Sequence, residues 1–479
     1  MVYSFAVHGP IYQTADIRRI EKAAENTAPP LMERAGAAAA ELAAKIVAGN
    51  SKDILVLAGP GNNGGDALVV ADLLKQRFFR VTLVKRPEEL PEGKQWGLIV
   101  DGLFGIGLGR DLDGGFAKLV HYANGQDCPV LALDVPSGID ADTGRVLGCA
   151  VRATHTITFI ALKPGLLTLD GPDHCGTVVV SDLNLDVKTL LSPSAWVAAP
   201  ELFKATLKPR PGNFHKGMAG SLGILGGAAG MAGAALLAGR AALKLGAGRV
   251  YAGLLAEHAL SVDPGAPELM LRHADDVLGL DLDALAVGPG LGTGERAETL
   301  VGAALASDIP CVLDADALNV LAASASLRSA STRRSADTLL TPHPAEAARL
   351  LGTSVAEVQA NRVQASRMLA THFNAHVVLK GNGSVITARD GHWFVNTTGN
   401  PGMASAGMGD VLTGMLGALL AQRYSGESSL VLGVHLHGAA ADQLVREGIG
   451  PVGLTAGELL DPARRIWNGW IAQYSSAIR

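Results

Sequence analysis

The sequence predicts an α/β protein of two consecutive domains, the first a doubly wound parallel sheet. Apolar runs of strand length end repeatedly in glycine turns that open helical stretches, the pattern of parallel strands joined by crossover helices. That pattern runs through the first part of the chain, breaks, and restarts after about residue 217. Glycine contributes 59 of 479 residues, above the usual ~7% and without a Gly-X-Y period, as many tight strand-to-helix turns require. A chain this long also exceeds one ordinary domain.

The first domain, placed at residues 1–205, opens with a helix from Thr14, a Pro29-Pro30 break and an Ala-rich helix. The buried-strand run Asp53–Ala58 follows, then Gly59-Pro-Gly-Asn-Asn-Gly-Gly-Asp66 and the helical ALVVADLLKQR. Gly59, Gly61 and Gly64 match GxGxxG. Yet the next strand, RVTLV, ends in Lys85 and Arg86, where a dinucleotide fold places an acid for the ribose. Asp66 brings a negative charge to the helix mouth, which suits a cation or hydroxyl better than pyrophosphate. The turn reads either as a seat for a polar ligand and a hard cation or as a structural turn with left-handed asparagines. Asp101 and Asp134 end two further strands, each before a glycine-containing turn. Ligands of open parallel sheets bind outside these carboxyl ends. His155 and Lys163 read as structural or rim residues.

Bulk properties exclude several classes. Formal charge is −5 with no Lys/Arg run, against a nucleic-acid surface. No apolar run reaches membrane-spanning length, and the first 22 residues lack a basic head followed by an apolar core. Cys128, Cys149, Cys175 and Cys311 show no CxxC spacing and read as buried apolar residues in a reducing compartment. A cytoplasmic homo-oligomer acting on small molecules is expected.

GPGNNGGD, DGLFGIGLGR and DVPSGIDADTG, in this order, resemble the NAD(P)HX epimerase family over roughly residues 10–190. The resemblance implies a Rossmann-like domain that inverts the hydroxyl-bearing C6 centre of hydrated NADH and NADPH (NADHX and NADPHX). It implies K+ held by Asn63, Asp101 and Ser137. Substrate contacts would come from Asn62, Asn63, Gly64, Gly65, Asp66, Gly105, Ile106, Gly107, Leu108, Gly109, Arg110, Asp111 and Asp134, with Asp134 as acid/base.

Pro193, Pro200, Pro209 and Pro211 interrupt regular structure and place the junction near residue 205. In the second domain, 206–479, Ser221–Gly227 reads as strand and turn, Met231–Leu245 as a small-residue helix, and PCVLDADALNVL as a strand ending at Asp314. HVVLKGNGSVITARDGHWFVN reads as a strand, a tight turn and a hairpin. The loop Asn396–Asp410 holds glycines and runs into the helical VLTGMLGALLAQ. A glycine loop opening a helix is an anion site, because its first N–H groups lack partners. Asp410 at that mouth is either a base for a hydroxyl that meets a phosphoryl group or a helix cap. No GxxxxGK[ST] occurs, and the pairs His372/His376 and His435/His437 lack the carboxylate of a zinc motif. His343, between two prolines, is either a site residue or part of a rigid turn.

KGMAGSLGILGG, VGPGLG, DADALN, LTPHPAE, LKG and NPGMASAGMGDVLTGM are together similar to ribokinase-like ADP-dependent NAD(P)HX dehydratases, over roughly residues 210–475. The resemblance implies phosphorylation of the substrate hydroxyl, then loss of phosphate, with ADP as co-substrate and Mg2+ as cofactor. Asp410 would be the base. Lys380, Gly381, Asn382, Gly383, Ser384 and Gly409 would hold the nucleotide, and Ala235, Gly290, His343 and Asp410 the hydrated cofactor. Ser384 stands where a Thr is expected; both supply a hydroxyl. The rival reading is a ribokinase-like small-molecule kinase with a non-catalytic ligand-binding first domain. It predicts a stable phosphate ester and no epimerisation.

Overall fold

The computed structural model describes residues 8–47, 52–257 and 260–476; part of the N-terminal stretch on which the leader reading rests lies outside them. The chain divides into two compact units, Met1–Val197 and Ala198–Arg479.

The first unit contains strands β1 (Pro10–Ile11), β2 (Asp53–Ala58), β3 (Arg80–Val84), β4 (Leu98–Gly102), β5 (Val130–Leu133), β6 (His155–Phe159), β7 (Thr177–Ser181) and β8 (Ala195–Val197). β1 and β8 form a short antiparallel pair. The main sheet is parallel in the order β3-β2-β4-β5-β6-β7. Alternate residues of β2 serve opposite faces, as the period of two requires. Ile54, Val56 and Ala58 pack with the helices Thr14–Ala23, Leu31–Val47 and Asn62–Gln76. Leu55 and Leu57 pack with Leu119 and Val120 of the helix Gly114–Asn124. Burial on both faces explains the nearly unbroken apolar strands. Strand order reverses between β2 and β4, so the loops leaving these two strands frame the crevice where doubly wound sheets bind ligands.

The two N-terminal helices and the break between them fall where the sequence puts them. The asparagine–glycine segment differs from the expected turn. Asn62–Gly65 already forms the first turn of the Asn62–Gln76 helix, with Gly61 as its N-cap.

The second unit contains β9 (Ser221–Gly226), β10 (Arg249–Leu254), β11 (Met270–His273), β12 (Ala284–Val287), β13 (Cys311–Leu313), β14 (Thr338–Leu340), β15 (His376–Leu379), β16 (Ser384–Thr387) and β17 (Trp393–Asn396). Their order is β17-β16-β15-β14-β13-β12-β9-β10-β11. Strands from β15 to β11 are parallel, and β15-β16-β17 form the antiparallel hairpin run expected from sequence. Here the order reverses between β9 and β12. Their loops touch, Gly227 N donating to Pro289 O at 3.0 Å. A Cβ on Gly226 would lie 2.1 Å from that same oxygen, so only glycine fits. The Met408–Ala421 helix is buried along nearly its whole length. Gly414 lets it ride on the backbone of the Ala232–Lys244 helix, where a Cβ would sit 2.0 Å from Ala238 O.

Candidate active sites

In the first unit the reversal point opens a cavity of about 340 Å³, lined by Asn62, Asn63, Asp66, Gly105, Ile106, Gly107, Leu108 and Asp134 among the expected residues. Gly64, Gly65, Gly109, Arg110 and Asp111 are not in its wall. Gly64 instead packs on Gly59, where a Cβ would lie 1.9 Å from Gly59 O. That approach seats the helix N-terminus against the β2 loop.

Asp134 follows β5 in a left-handed backbone conformation, φ 66°, which Asp tolerates better than bulkier residues. Its carboxylate accepts from Ile106 N at 3.3 Å and from the Lys163 ammonium. Lys163 also donates to Thr158 Oγ1 at 2.9 Å and Phe159 O at 2.7 Å. Lys163 has no exposed surface. Of the two readings open for it, structural or rim, burial excludes the rim: Lys163 is paired with Asp134 and lines the cavity. Burial next to apolar walls would be prohibitive for a bare ammonium, and the Asp134 charge with two further acceptors offsets that cost. Nothing local in ALKPG signals this pairing. His155 is half-buried at the start of β6.

Two more carboxylates face the cavity, Glu21 and Asp66. Burial, then the Asp134 and Glu21 charges, push the Asp66 pKa up to about 8. Burial, followed by Asp134, also raises that of Glu21.

Beneath the wall, Asp101 is fully buried. It accepts from Ser137 Oγ at 2.7 Å, Ser137 N at 2.8 Å and Leu103 N at 3.3 Å. Burial raises its pKa to about 6 against these hydrogen bonds. Phe104 N donates to Ser137 Oγ at 2.9 Å. Asn63 is 7% exposed, yet neither polar atom of its side chain has a hydrogen-bond partner. Gly105 lies between Asn63 and Asp134: a Cβ there would be 3.4 Å from Asn63 Oδ1 and 3.0 Å from Asp134 Oδ2. A buried carboxylate whose hydrogen bonds come from neutral donors and an orphaned amide oxygen are donor types that fit a hard cation.

In the second unit the strand ends converge on Asp314. Its carboxylate, almost fully buried, accepts from Lys380 Nζ at 2.8 Å, Thr341 Oγ1 at 2.7 Å and Thr413 Oγ1 at 2.9 Å. Burial opposes its ionisation, but Lys380 and the hydroxyl donors outweigh that and hold its pKa below the ordinary value. Gly409 rests on this pair: a Cβ there would be 3.4 Å from both Asp314 Oδ2 and Lys380 Nζ. Asp410 sits in the first turn of the same helix, which Gly407 enters at φ 89°. Burial, then the Asp314 charge, raises the Asp410 pKa to about 6, with Lys380 pulling the other way. The N-cap position is held by Gly407 and Asp410 stands third in the helix, so Asp410 is not its N-cap residue.

The loop Gly381–Gly383 is shaped from below by Arg362, 1% exposed. Its guanidinium donates to the carbonyls of Leu379, Lys380 and Gly383 at 3.2–3.5 Å. Ser384 Oγ closes the loop on Gly381 O at 3.0 Å. Burial brings the Arg362 pKa down to about 10. At the β9/β12 reversal, Gly290 adopts φ 58° against Met231, and Ala235 is buried beneath Gly227. His343 is the N-cap of the Pro344–Leu351 helix. Its Nδ1 accepts from Ala345 N at 3.1 Å, and its Nε2 lies 3.1 Å from Glu346 Oε1. Glu346, three residues on, returns a bond to His343 N at 2.8 Å, a capping box whose spacing was readable in PHPAE.

The two parts of the chain match different family models. A family model described as NAD(P)H-hydrate dehydratase matches residues 222–462. One described as YjeF-related protein N-terminus matches 29–97 and 84–165. The bifunctional NAD(P)H-hydrate repair enzyme Nnr of Coxiella burnetii is 38% identical, over 96% of this chain and 99% of its own. Its Escherichia coli namesake is also 38% identical, over 96% and 94%. Among solved structures, the Bacillus subtilis ADP/ATP-dependent NAD(P)H-hydrate dehydratase co-crystallised with ATP/Mg2+ is 32% identical with a TM-score of 0.50. That likeness covers 57% of this chain and 98% of the other. The chain belongs to the family of bifunctional NAD(P)H-hydrate repair enzymes, with an epimerase-type first half and a ribokinase-like dehydratase second half.

Proposed function

We propose that the first unit interconverts the R and S epimers of NADHX and NADPHX at C6, and that the second dehydrates the S epimer while converting ADP to AMP and phosphate. The observation that carries the second half is Asp410 in the first turn of a glycine-entered helix, beside the Lys380 ammonium. Asp410 takes the proton of the C6 hydroxyl as that oxygen bonds to the β-phosphorus of ADP and the bridging oxygen leaves with AMP. The C6–O bond then breaks with phosphate departing and a C5 proton lost, which restores the dihydropyridine. Phosphorylation matters because phosphate leaves far more readily than hydroxide. The N–H groups of the helix start and the Gly381–Ser384 loop face developing negative charge without needing to reorganise.

In the first unit Asp134 is the acid/base at C6, and Lys163 fixes the position of its carboxylate at the cavity wall. The neutral Asp66 offers a donor to the substrate without adding a charge beside Asp134. Asn63, Asp101 and Ser137 would hold K+, which supplies a fixed positive charge for the anionic substrate. Mg2+ enters with the nucleotide, neutralising phosphoryl charge. Asp314 is already saturated by three donors. Among the described residues no group of three His, Cys, Asp or Glu side chains converges on a metal position. Mg2+, when bound with the nucleotide, would neutralise phosphoryl charge beside Asp410 and Lys380.

The test is to mix hydrated NADH, ADP, Mg2+ and the protein and follow the reduced-nicotinamide absorbance. Complete return from the epimer mixture is expected. Accumulation of a phosphate ester without that return would favour the small-molecule kinase.

A further inference from the structure

Asp314 belongs to neither expected residue set, yet it ties together more of the second centre than any residue in them. Its two carboxylate oxygens reach three separate elements: Lys380 at the end of β15, Thr341 at the end of β14, and Thr413 one turn into the Met408–Ala421 helix. The side chain is 2% exposed while that of Lys380 is 24% exposed. The carboxylate thus sits behind the ammonium, on the side away from solvent. The ammonium meets Gly409, the residue before Asp410.

A lysine side chain has four rotatable bonds and loses much rotamer entropy when fixed. Held only by a ligand, it would incur that cost at each turnover. Held in advance by Asp314, it is already placed when the phosphoryl group arrives. Thr413 does the same for the helix, since its bond to Asp314 Oδ2 sets how far the first turn stands from Lys380.

We propose that Asp314 is a positioning residue of the dehydratase centre: it fixes the Lys380 ammonium and the first turn of the Met408–Ala421 helix in the mutual arrangement that receives the transferring phosphoryl group. Lys380 thereby acts on the phosphoryl group itself rather than on the adenosine. The inference rests on the phosphoryl-transfer reading given above.

The test is a double-mutant cycle in the full chain, using the S form of hydrated NADH, ADP and Mg2+. Asp314→Asn is expected to lower kcat about 100-fold, the size of effect when one preorganised charge contact is lost, with the KM for ADP changed less than about threefold. If Asp314 acts through Lys380, the double variant Asp314→Asn/Lys380→Gln is no slower than Lys380→Gln alone. Thr341→Val/Thr413→Val keeps both charges and lets the carboxylate swing; a kcat loss of about tenfold is expected, reversed by Ser at both positions. This pair carries the test should Asp314→Asn not fold. Epimerisation by the first unit, measured in the same samples, reports intact chain. A wild-type chain inactive with ADP overturns the underlying reading. An active wild type with multiplicative losses in the cycle, or with full kcat in the threonine pair, overturns the positioning role alone.

Discussion

The Lys163 ammonium is buried against the Asp134 carboxylate, 29 residues away in sequence, and no part of Lys163 reaches solvent. Lys163→Met leaves that carboxylate buried without its cation, a change that typically costs about 3–5 kcal/mol. Chemical denaturation should show the first unit destabilised by that order, and the R epimer should persist. Unchanged stability would mean that the pair does not form.

Asp134→Asn removes the acid/base while keeping the shape. Pure S epimer should still be dehydrated at the wild-type rate, whereas pure R epimer should accumulate. Undiminished use of R beyond its spontaneous inversion would exclude Asp134.

Asp66 predicts a pH effect on stability. Its folded pKa of about 8 lies above the ~4 of an unfolded Asp. The folded state therefore keeps a proton that the unfolded chain releases. The stability this group contributes is full below pH ~4 and is lost as pH rises through about 8. Asp66→Asn cannot lose that proton, so it should melt higher than wild type at pH 8 and equally at pH 4. A pH-independent difference would show that Asp66 ionises normally.

The proposed K+ position can be probed without activity. Adding KCl at constant ionic strength should raise the melting temperature of the first unit, since a ligand bound only by the folded state stabilises it. Asn63→Leu fills the orphaned amide's place with an apolar side chain and should abolish the response. A KCl shift that survives in this variant places the ion elsewhere.

Asp410 must be ionised to accept the hydroxyl proton. With a pKa raised to about 6, kcat/KM for dehydration should climb with pH through that value and level off above it. Asp410→Asn should eliminate dehydration at every pH and leave epimerisation measurable. Parallel loss of both activities in a folded variant would refute two separate centres.

Strand succession, the glycine turns and Asp410 were legible because each depends on local pattern: apolar runs, glycine at tight approaches, a charge at a helix mouth. Asn62–Gly65 was misread as a turn because its helical propensity is poor, while the helix it opens is fixed by packing against β2. Lys163 and Asp314 were missed as site residues for a different reason. Their roles come from partners brought close only by the sheet, so no neighbouring residue announces them. His343 combines a local signal with an open role: the Glu three residues later specifies a capping box, and its imidazole stays half-exposed.

Each unit carries its own sheet and its own strand-end centre on one continuous polypeptide. Translation therefore delivers the two centres in equal number whatever the expression level. The ratio of the two catalytic capacities in a cell is then written into the kinetic constants of this chain. Changing the amount of this chain therefore leaves the ratio between the two centres unchanged.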